Sequence, residues 1–198
     1  IFLYPSKALT LIGMPQTDFI SRFSYIENIN QIGEIDLTIG DEKHEIEIFN
    51  PTEEEKSELE EDETLEADYK LDGQDANVVN EKDSGYFNAF YRSLISVMVD
   101  GFDLEAEPEF DPMLTMEFKN RHNDETERLD LVKRDDKTCY VFLDEDYTGL
   151  YTSVDEIYST DRDDELGIIP ALEQLQEAID NAENGVYVQP SEAAEEDD

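Results

Sequence analysis

The sequence predicts an α+β fold in which segments of antiparallel β-sheet pack against two main helices. Several short segments alternate apolar and polar residues with a period of two, as half-buried strands do. Two longer segments repeat apolar residues at helical spacing. The 198-residue chain is 38% hydrophobic and contains ten Tyr and ten Phe. These totals are sufficient for a folded core and are unlike those of disordered chains, which are poor in aromatic residues.

The first half of the chain predicts two strand regions and a short helix. A strand at Ile1–Tyr4 ends at Pro5, and a helix beginning near Asp18 carries Phe19, Ile20 and Phe23 on one face. A hairpin with a Gly40-Asp41 turn follows, and its alternating residues are Ile35, Leu37, Ile39, His44, Ile46 and Ile48. A further short strand carries Tyr69 and Leu71 and ends at Asp72-Gly73.

Two segments predict the main helices. The first is capped by Ser84 and ends at Asp100-Gly101, and its apolar face consists of Phe87, Phe90, Tyr91, Leu94 and Met98. The second runs from about Gly167 to Ala182, and its apolar face consists of Leu172, Leu175, Ile179 and Ala182. Pro170 suits the first turn of this helix, and Gly185 suits the position after its end.

The segment between these helices predicts a meander of three or four antiparallel strands. The alternating pairs and triplets are Leu114, Met116 and Phe118, then Leu129 and Leu131, then Tyr140 and Phe142. Polar connections at 120–125 and at Asp135-Asp136 join them, and Gly149 opens a last short strand at Leu150-Tyr151.

We interpret residues 1–190 as a single domain, and the pattern also permits two similar lobes, 1–105 and 106–190. Residues 53–68 include ten acids and one base, Lys56. Such a density of like charge opposes compaction, so we expect an acidic loop or insertion there. The acidic end, 191–198, is expected to be a disordered tail.

The charge excludes some classes of partner. The chain has 53 acidic and 14 basic residues, a formal net charge of −39. Nucleic-acid binding depends on Lys and Arg that neutralise phosphates, so no nucleic-acid partner is expected. Anionic lipid surfaces are also repelled. No stretch approaches the roughly 20 apolar residues that span a bilayer, so contact with a membrane would require a segment that precedes Ile1.

No catalytic, cofactor-binding or metal-binding residues are assigned, and we expect the chain not to be an enzyme. His44 lies in a predicted strand and His122 in a polar loop, and neither is next to a nucleophile motif. Cys139, the only cysteine, lies in a predicted strand and is expected to be a buried, inert thiol. The chain has no Gly-rich phosphate loop.

Two alternatives remain open. Residues 144–149 begin like a calcium loop, with Asp144 and Asp146 at its first and third positions and Asp155 at the twelfth, which would make the chain a calcium-binding surface domain. An acidic turn explains the same residues, because a strand rather than a helix precedes them. Acids at 161–165 likewise suit the approach to a helix N-terminus. A carboxylate-based glycan hydrolase is the second alternative.

Three regions of the sequence resemble an uncharacterised bacterial family of domains of unknown function, often encoded beside ABC-transporter genes of the gliding-motility type. The regions comprise the segments 2–6 and 18–23, then 86–91 and 99–101, then 112–116 and 147–151 with the closing helix. The resemblance implies an accessory or interaction domain on the outer face of a bacterial membrane, with no enzymatic activity. It also implies an N-terminal membrane anchor that this chain lacks and a transporter component as protein partner. The chain departs from the family in its extreme acidity and in the acidic insertion after Pro51.

Overall fold

The computed structural model describes residues 29–52, 67–79, 85–123, 125–160 and 166–185. These residues form nine strands and three helices. The strands are β1 (Ile32–Ile39), β2 (Glu42–Phe49), β3 (Asp68–Leu71), β4 (Gln74–Asp75), β5 (Val99–Phe102), β6 (Pro112–Asn120), β7 (Thr126–Lys133), β8 (Thr138–Leu143) and β9 (Asp146–Ser153). The helices are α1 (Tyr86–Ile95), α2 (Asp155–Tyr158) and α3 (Ile168–Glu183).

All nine strands belong to one sheet with the order β4-β3-β2-β1-β6-β7-β8-β9-β5, and each neighbouring pair is antiparallel. The prediction of mixed strand and helix is confirmed, but the sheet is larger and more continuous than the separate segments that we expected. The pairing of β1 with β6 joins residues from both sides of position 105 in this one sheet.

Strand alternation divides the sheet into two faces. We call the face that carries Ile35, Leu37 and Met116 the core face, because these side chains and the buried residues of the helices belong to one hydrophobic cluster. Phe87, Phe90 and Leu94 of α1 and Leu175 of α3 are members of the same cluster. The opposite face, which we call the outer face, carries charged and aromatic side chains, because every second residue of a strand points away from the core.

The predicted hairpin is confirmed as β1 and β2, where Ile35 pairs with Ile46 and Leu37 with His44. Gly40 in the turn has φ of +58°, a conformation that glycine adopts without steric cost. The closing helix is confirmed as α3, with Pro170 in its first turn and Gly185 beyond its end at φ of +66°. Both elements follow from local patterns that need no distant partner.

The predicted end of the first helix is wrong. Helix α1 ends at Ile95, and Val99–Phe102 forms the edge strand β5 instead of the last helical turn. Met98 therefore lies outside the helix. The β-branched residues Val97 and Val99 fit a strand better than a helix, and β5 gains a hydrogen-bonded partner in β9.

The last predicted strand, at Leu150-Tyr151, is the middle of a longer strand, β9. Asp68, the last residue of the predicted acidic insertion, is the first residue of β3. Several predictions lie outside the described residues. They concern Ile1–Tyr4, the helix with Phe19, Ile20 and Phe23, the Ser84 cap, positions 53–66, the acids at 161–165 and the tail at 191–198.

Candidate interaction surface

The connection between β5 and β6 crosses the outer face of the sheet. Strand β5 lies at the edge, whereas β6 lies in the interior, with β9, β8 and β7 between them. Four strand spacings of about 4.8 Å separate the two strands, so the chain must travel roughly 19 Å across the sheet. Residues Asp103–Asp111 make this crossing, and we call them the strap.

The first residue of the strap is fixed by three contacts. The Asp103 amide donates a 2.9 Å hydrogen bond to the Gly149 carbonyl oxygen. The Tyr147 hydroxyl donates a 2.7 Å hydrogen bond to the Asp103 carbonyl oxygen. The Arg134 guanidinium lies 3.2 Å from the Asp103 carboxylate. The strap is therefore attached to β9 where it begins.

The far end of the strap is held by aromatic packing. The Phe110 ring meets the Phe142 ring edge to face, with centroids 5.2 Å apart. The Arg128 guanidinium lies 5.7 Å from the centre of the Phe110 ring, within cation–π range. Phe142 and Val132 are buried on the outer face, apart from the main core cluster. We infer that the strap contributes to this burial, because Phe110 packs directly on Phe142.

A row of aromatic rings continues beside Phe142 on the outer face. Tyr147 contacts Phe142 and Tyr140 with centroid distances of 5.4 and 5.3 Å. Arg134 lies over the Tyr151 ring at 4.3 Å and over the Tyr140 ring at 5.7 Å. Burial raises the pKa of Tyr147 to about 12, with the nearby Asp103 adding to the effect. The Tyr147 hydroxyl is therefore a proton donor at neutral pH.

Several carboxylates elsewhere on the outer face have basic partners. Both Nε and Nη2 of Arg128 donate 2.9 Å hydrogen bonds to the fully buried Asp130 carboxylate, a bidentate arrangement. Nη1 of Arg128 lies 3.0 Å from Glu145. The hydrogen bond to Asp130, opposed by desolvation, raises the pKa of Arg128. Thr115 donates a further 2.5 Å hydrogen bond to Asp130.

Lys119 neutralises a second pair of acids on the outer face. Its ammonium group contacts Glu34 and lies 2.8 Å from Asp36, and hydrogen bonds to these two carboxylates raise its pKa. These contacts join β6 to the neighbouring strand β1. The paired acids of this face therefore contribute to the cohesion of the sheet.

Four acids of the strap differ from these, because they are exposed and have no ion pair within the described residues. They are Glu105, Glu107, Glu109 and Asp111. They alternate with Leu104, Ala106, Pro108 and Phe110. Leu104 is 73% exposed and Phe110 is 38% exposed, although both are large and apolar. The strap thus combines unpaired negative charge with accessible apolar surface.

The strap backbone also has unused hydrogen-bonding groups. The amide of Ala106 donates to the Asp103 carbonyl at 3.3 Å. Within the described part of the chain, the backbone of residues 107–110 makes no hydrogen bond to another backbone group. Pro108 has no N–H to donate. The remaining groups are available to water or to a partner.

The predicted calcium residues are not brought together. Asp144 and Glu145 form the two-residue turn between β8 and β9, with φ of +50° and +68°, as in a type I′ hairpin. Asp144 accepts a hydrogen bond from the Arg128 amide. Asp146 begins β9, whereas Asp155 begins α2 at the other end of that strand, on the order of 25 Å away. An acidic hairpin turn therefore explains this motif.

The carboxylates and histidines that could support hydrolysis either lie far apart or already have structural contacts. Asp130 and Glu156 are the two buried carboxylates among the described residues, and they lie on β7 and α2. Nδ1 of His44 lies 2.8 Å from Asp72, whose other oxygen accepts the Glu45 amide. His122 is exposed in the turn after β6. None of the described residues forms a cluster of three or more side chains suited to a metal ion.

The prediction for Cys139 is confirmed, because this thiol is fully buried in β8. Burial raises its pKa to about 11, with the negative charge of Asp135 adding to the effect. The thiolate, which is the reactive form, is therefore disfavoured at neutral pH.

Sequence reasoning missed the strap and the aromatic row. The alternation of Tyr140 and Phe142 predicts that they share one face of a strand. That face is the outer one, because the neighbouring residues Cys139 and Val141 belong to the core cluster. The alternation of apolar and acidic residues over 104–111 was the signal that could have revealed the strap.

Comparisons of the chain with protein-family models, curated proteins and solved structures found no match. None of the helices in the described ranges is both long enough and apolar enough to cross a membrane.

Proposed function

We propose that this chain is a non-catalytic interaction domain that binds a protein partner through the strap. The observation that carries the proposal is the exposure of Leu104 and Phe110 beside four carboxylates that have no basic partner in the described part of the chain. Exposed apolar patches that are rimmed by polar residues are typical of binding surfaces. A partner would cover the apolar groups and supply the missing positive charge.

We propose that the chain is not catalytic, because its potentially reactive side chains have structural roles. Arg128 and Thr115 hold the buried carboxylate of Asp130, Asp72 holds His44, and the thiol of Cys139 has a raised pKa. Each of these groups has a structural contact that explains its position. Asp72 could orient His44 as a base, but no hydrogen bond among the described residues joins His44 to a nucleophile.

The proposed setting is the outer face of a bacterial membrane, with an N-terminal anchor and a transporter component as partner. Support comes from the resemblance of the segments around 86–101 and 147–151 to domains encoded beside ABC-transporter genes. The net charge of −39 favours this setting over direct lipid contact, because the chain is repelled from anionic headgroups.

The same proposal assigns the two longer helices, α1 and α3, to a layer packed on the core face. Their buried side chains belong to the same hydrophobic cluster as those of the strands. This arrangement leaves the outer face and its strap accessible to a partner.

The test is complex formation between this chain and the purified components of an ABC transporter of the gliding-motility type. Size-exclusion chromatography with light scattering would measure the mass of the complex for the wild type and for Leu104→Ser. The matched control is Val79→Ser, since Val79 is 61% exposed and follows β4 at the opposite edge of the sheet. We expect the wild type and the control to form the complex, and Leu104→Ser to bind more weakly.

Two results would contradict parts of this proposal. If no component binds the wild type, the transporter role is wrong. If Leu104→Ser and Val79→Ser bind as well as the wild type, the strap is not the contact surface.

A further inference from the structure

We infer that the partner segment recognised by the strap is an extended basic peptide in which Lys or Arg alternates with apolar residues. This inference rests on the proposed function and deepens it by naming the chemistry of the partner. The charge, the residue spacing and the backbone hydrogen bonding of the strap each support this partner.

Glu34, Asp36 and Asp130 on the outer face have basic partners, unlike four acids of the strap. Arg128 neutralises Asp130 and Glu145, and Lys119 neutralises Glu34 and Asp36. The four acids at 105, 107, 109 and 111 have no such partner among the described residues. Complementary charge across an interface favours encounter and fixes register, so the partner should carry positive side chains.

Acidic and apolar residues alternate within the strap. The four acids are exposed, whereas Ala106 and Pro108 between them are half-buried, as in an extended segment with one side against the sheet. In an extended chain, alternate side chains lie about 7 Å apart on one side. A partner with the same period places one positive group opposite each acid and directs its intervening apolar side chains to the other side. Leu104 and Phe110 offer these apolar side chains a place to pack.

The hydrogen bonding of the strap backbone favours an extended partner over a helical one. The backbone of residues 107–110 makes no hydrogen bond to other described backbone groups. An extended peptide can satisfy such groups by pairing alongside them, which is a common mode of peptide recognition. A helical partner cannot, because its own amides and carbonyls are already bonded to one another.

The probe for this inference is a fluorescently labelled short peptide in which Lys alternates with Val. Its affinity would be measured by fluorescence anisotropy at about 0.05 M and about 0.15 M salt, since exposed charges are screened at the higher value. A peptide of the same composition with its Lys and Val residues in separate blocks controls for charge alone. We expect the alternating peptide to bind more tightly at both salt concentrations.

Two triple variants, one on the strap and one on α3, each remove three negative charges. The triple variant Glu105→Gln, Glu107→Gln and Glu109→Gln neutralises the strap. The matched control, Glu173→Gln, Glu177→Gln and Glu183→Gln, neutralises three exposed acids on α3. At about twofold for each exposed ion pair, the strap triple should weaken binding by roughly tenfold, whereas the α3 triple should weaken it by less than about twofold. Circular dichroism would verify that both variants remain folded.

Each contrary outcome has a definite meaning. Equal weakening by the two triples would show that the peptide follows net charge, and equal binding of the alternating and block peptides would show that spacing is not recognised. Either result overturns the inference. If a transporter component binds but the alternating peptide does not, the inference about the peptide is overturned and the proposed function stands. If the alternating peptide binds and no transporter component does, only the transporter role is overturned.

Discussion

The hydroxyl of Tyr147 donates a 2.7 Å hydrogen bond to the carbonyl oxygen of Asp103, which lies 44 residues earlier in the chain. This bond connects β9 to the first residue of the strap. Asp103 also bonds to the Gly149 carbonyl on the same strand. The position of the strap therefore depends on a few contacts at its two ends.

Replacing the hydroxyl in Tyr147→Phe should loosen the strap. We expect a loss of about 1 kcal/mol in the free energy of unfolding, as for a typical hydrogen bond. Amide hydrogen exchange over residues 103–111, measured by mass spectrometry, should accelerate. Tyr158→Phe is the control, because Tyr158 is 47% exposed and has no side-chain hydrogen bond among the described residues. Equal protection of the strap in both variants would contradict this role for the bond.

The Tyr147 hydroxyl also predicts a dependence of stability on pH. Its pKa is raised to about 12, above the value of about 10 expected in the unfolded chain. The folded state therefore holds this proton more tightly, so the contribution to stability is fully present below pH 10 and is lost as pH rises toward 12. Between pH 9 and pH 11, the free energy of unfolding measured in urea should fall more steeply with pH for the wild type than for Tyr147→Phe. Identical slopes for the two proteins would contradict this prediction.

Asp130→Asn should be strongly destabilising. The buried carboxylate takes two hydrogen bonds from Arg128 and one from Thr115, and its neutral replacement leaves the Arg128 charge without its buried partner. We expect a loss of about 3 kcal/mol, measured from the midpoint of urea unfolding. Glu145→Gln removes the exposed partner of the same arginine and should cost less than about 1 kcal/mol. A similar cost for the two variants would show that burial of the pair has no special effect.

Gly149→Ala tests the contact between β9 and the strap. Gly149 has φ of +78°, and an added Cβ would lie 2.5 Å from Cδ2 of Leu104. Gly40→Ala provides the matched control, because Gly40 has φ of +58° with nothing within 4 Å. Backbone strain should cost about 1 kcal/mol at both positions. Gly149→Ala should cost only slightly more, because Cδ2 is the end of the exposed Leu104 side chain and can move aside. The additional loss should diminish in the double variant with Leu104→Ala. If Leu104→Ala gives no relief, the steric contact is not the cause.

The sequence predicted the elements that depend on neighbours along the chain. The β1–β2 hairpin and α3 have apolar periodicity, turn residues and end signals within a single segment, so local reasoning located them. Strand β5 could not be found in this way, because Val99 gains its partner Thr152 from a distant segment. Because the apolar residues keep helical spacing as far as Met98, the predicted helix is longer than α1.

The candidate surface was harder to predict for a related reason. Val141 and Phe142 are adjacent in β8 and both are buried, so alternation alone does not show which residue faces the core. The answer depends on the strap, which covers the outer face there. Its crossing follows from the positions of β5 and β6 in the sheet, and strand order is not encoded in any single segment.

The ends of the sheet have a consequence for how the protein behaves at high concentration. Strand β5 is four residues long with a register shift between Val99 and Gly101, and β4 has only two residues. Where β3 extends beyond β4, the Tyr69 amide bonds to the Asn77 side chain and the Tyr69 carbonyl accepts the Ala76 amide. Short, irregular or already bonded edges are poor templates for strand addition by a second molecule. These features protect a wide sheet against edge-to-edge aggregation.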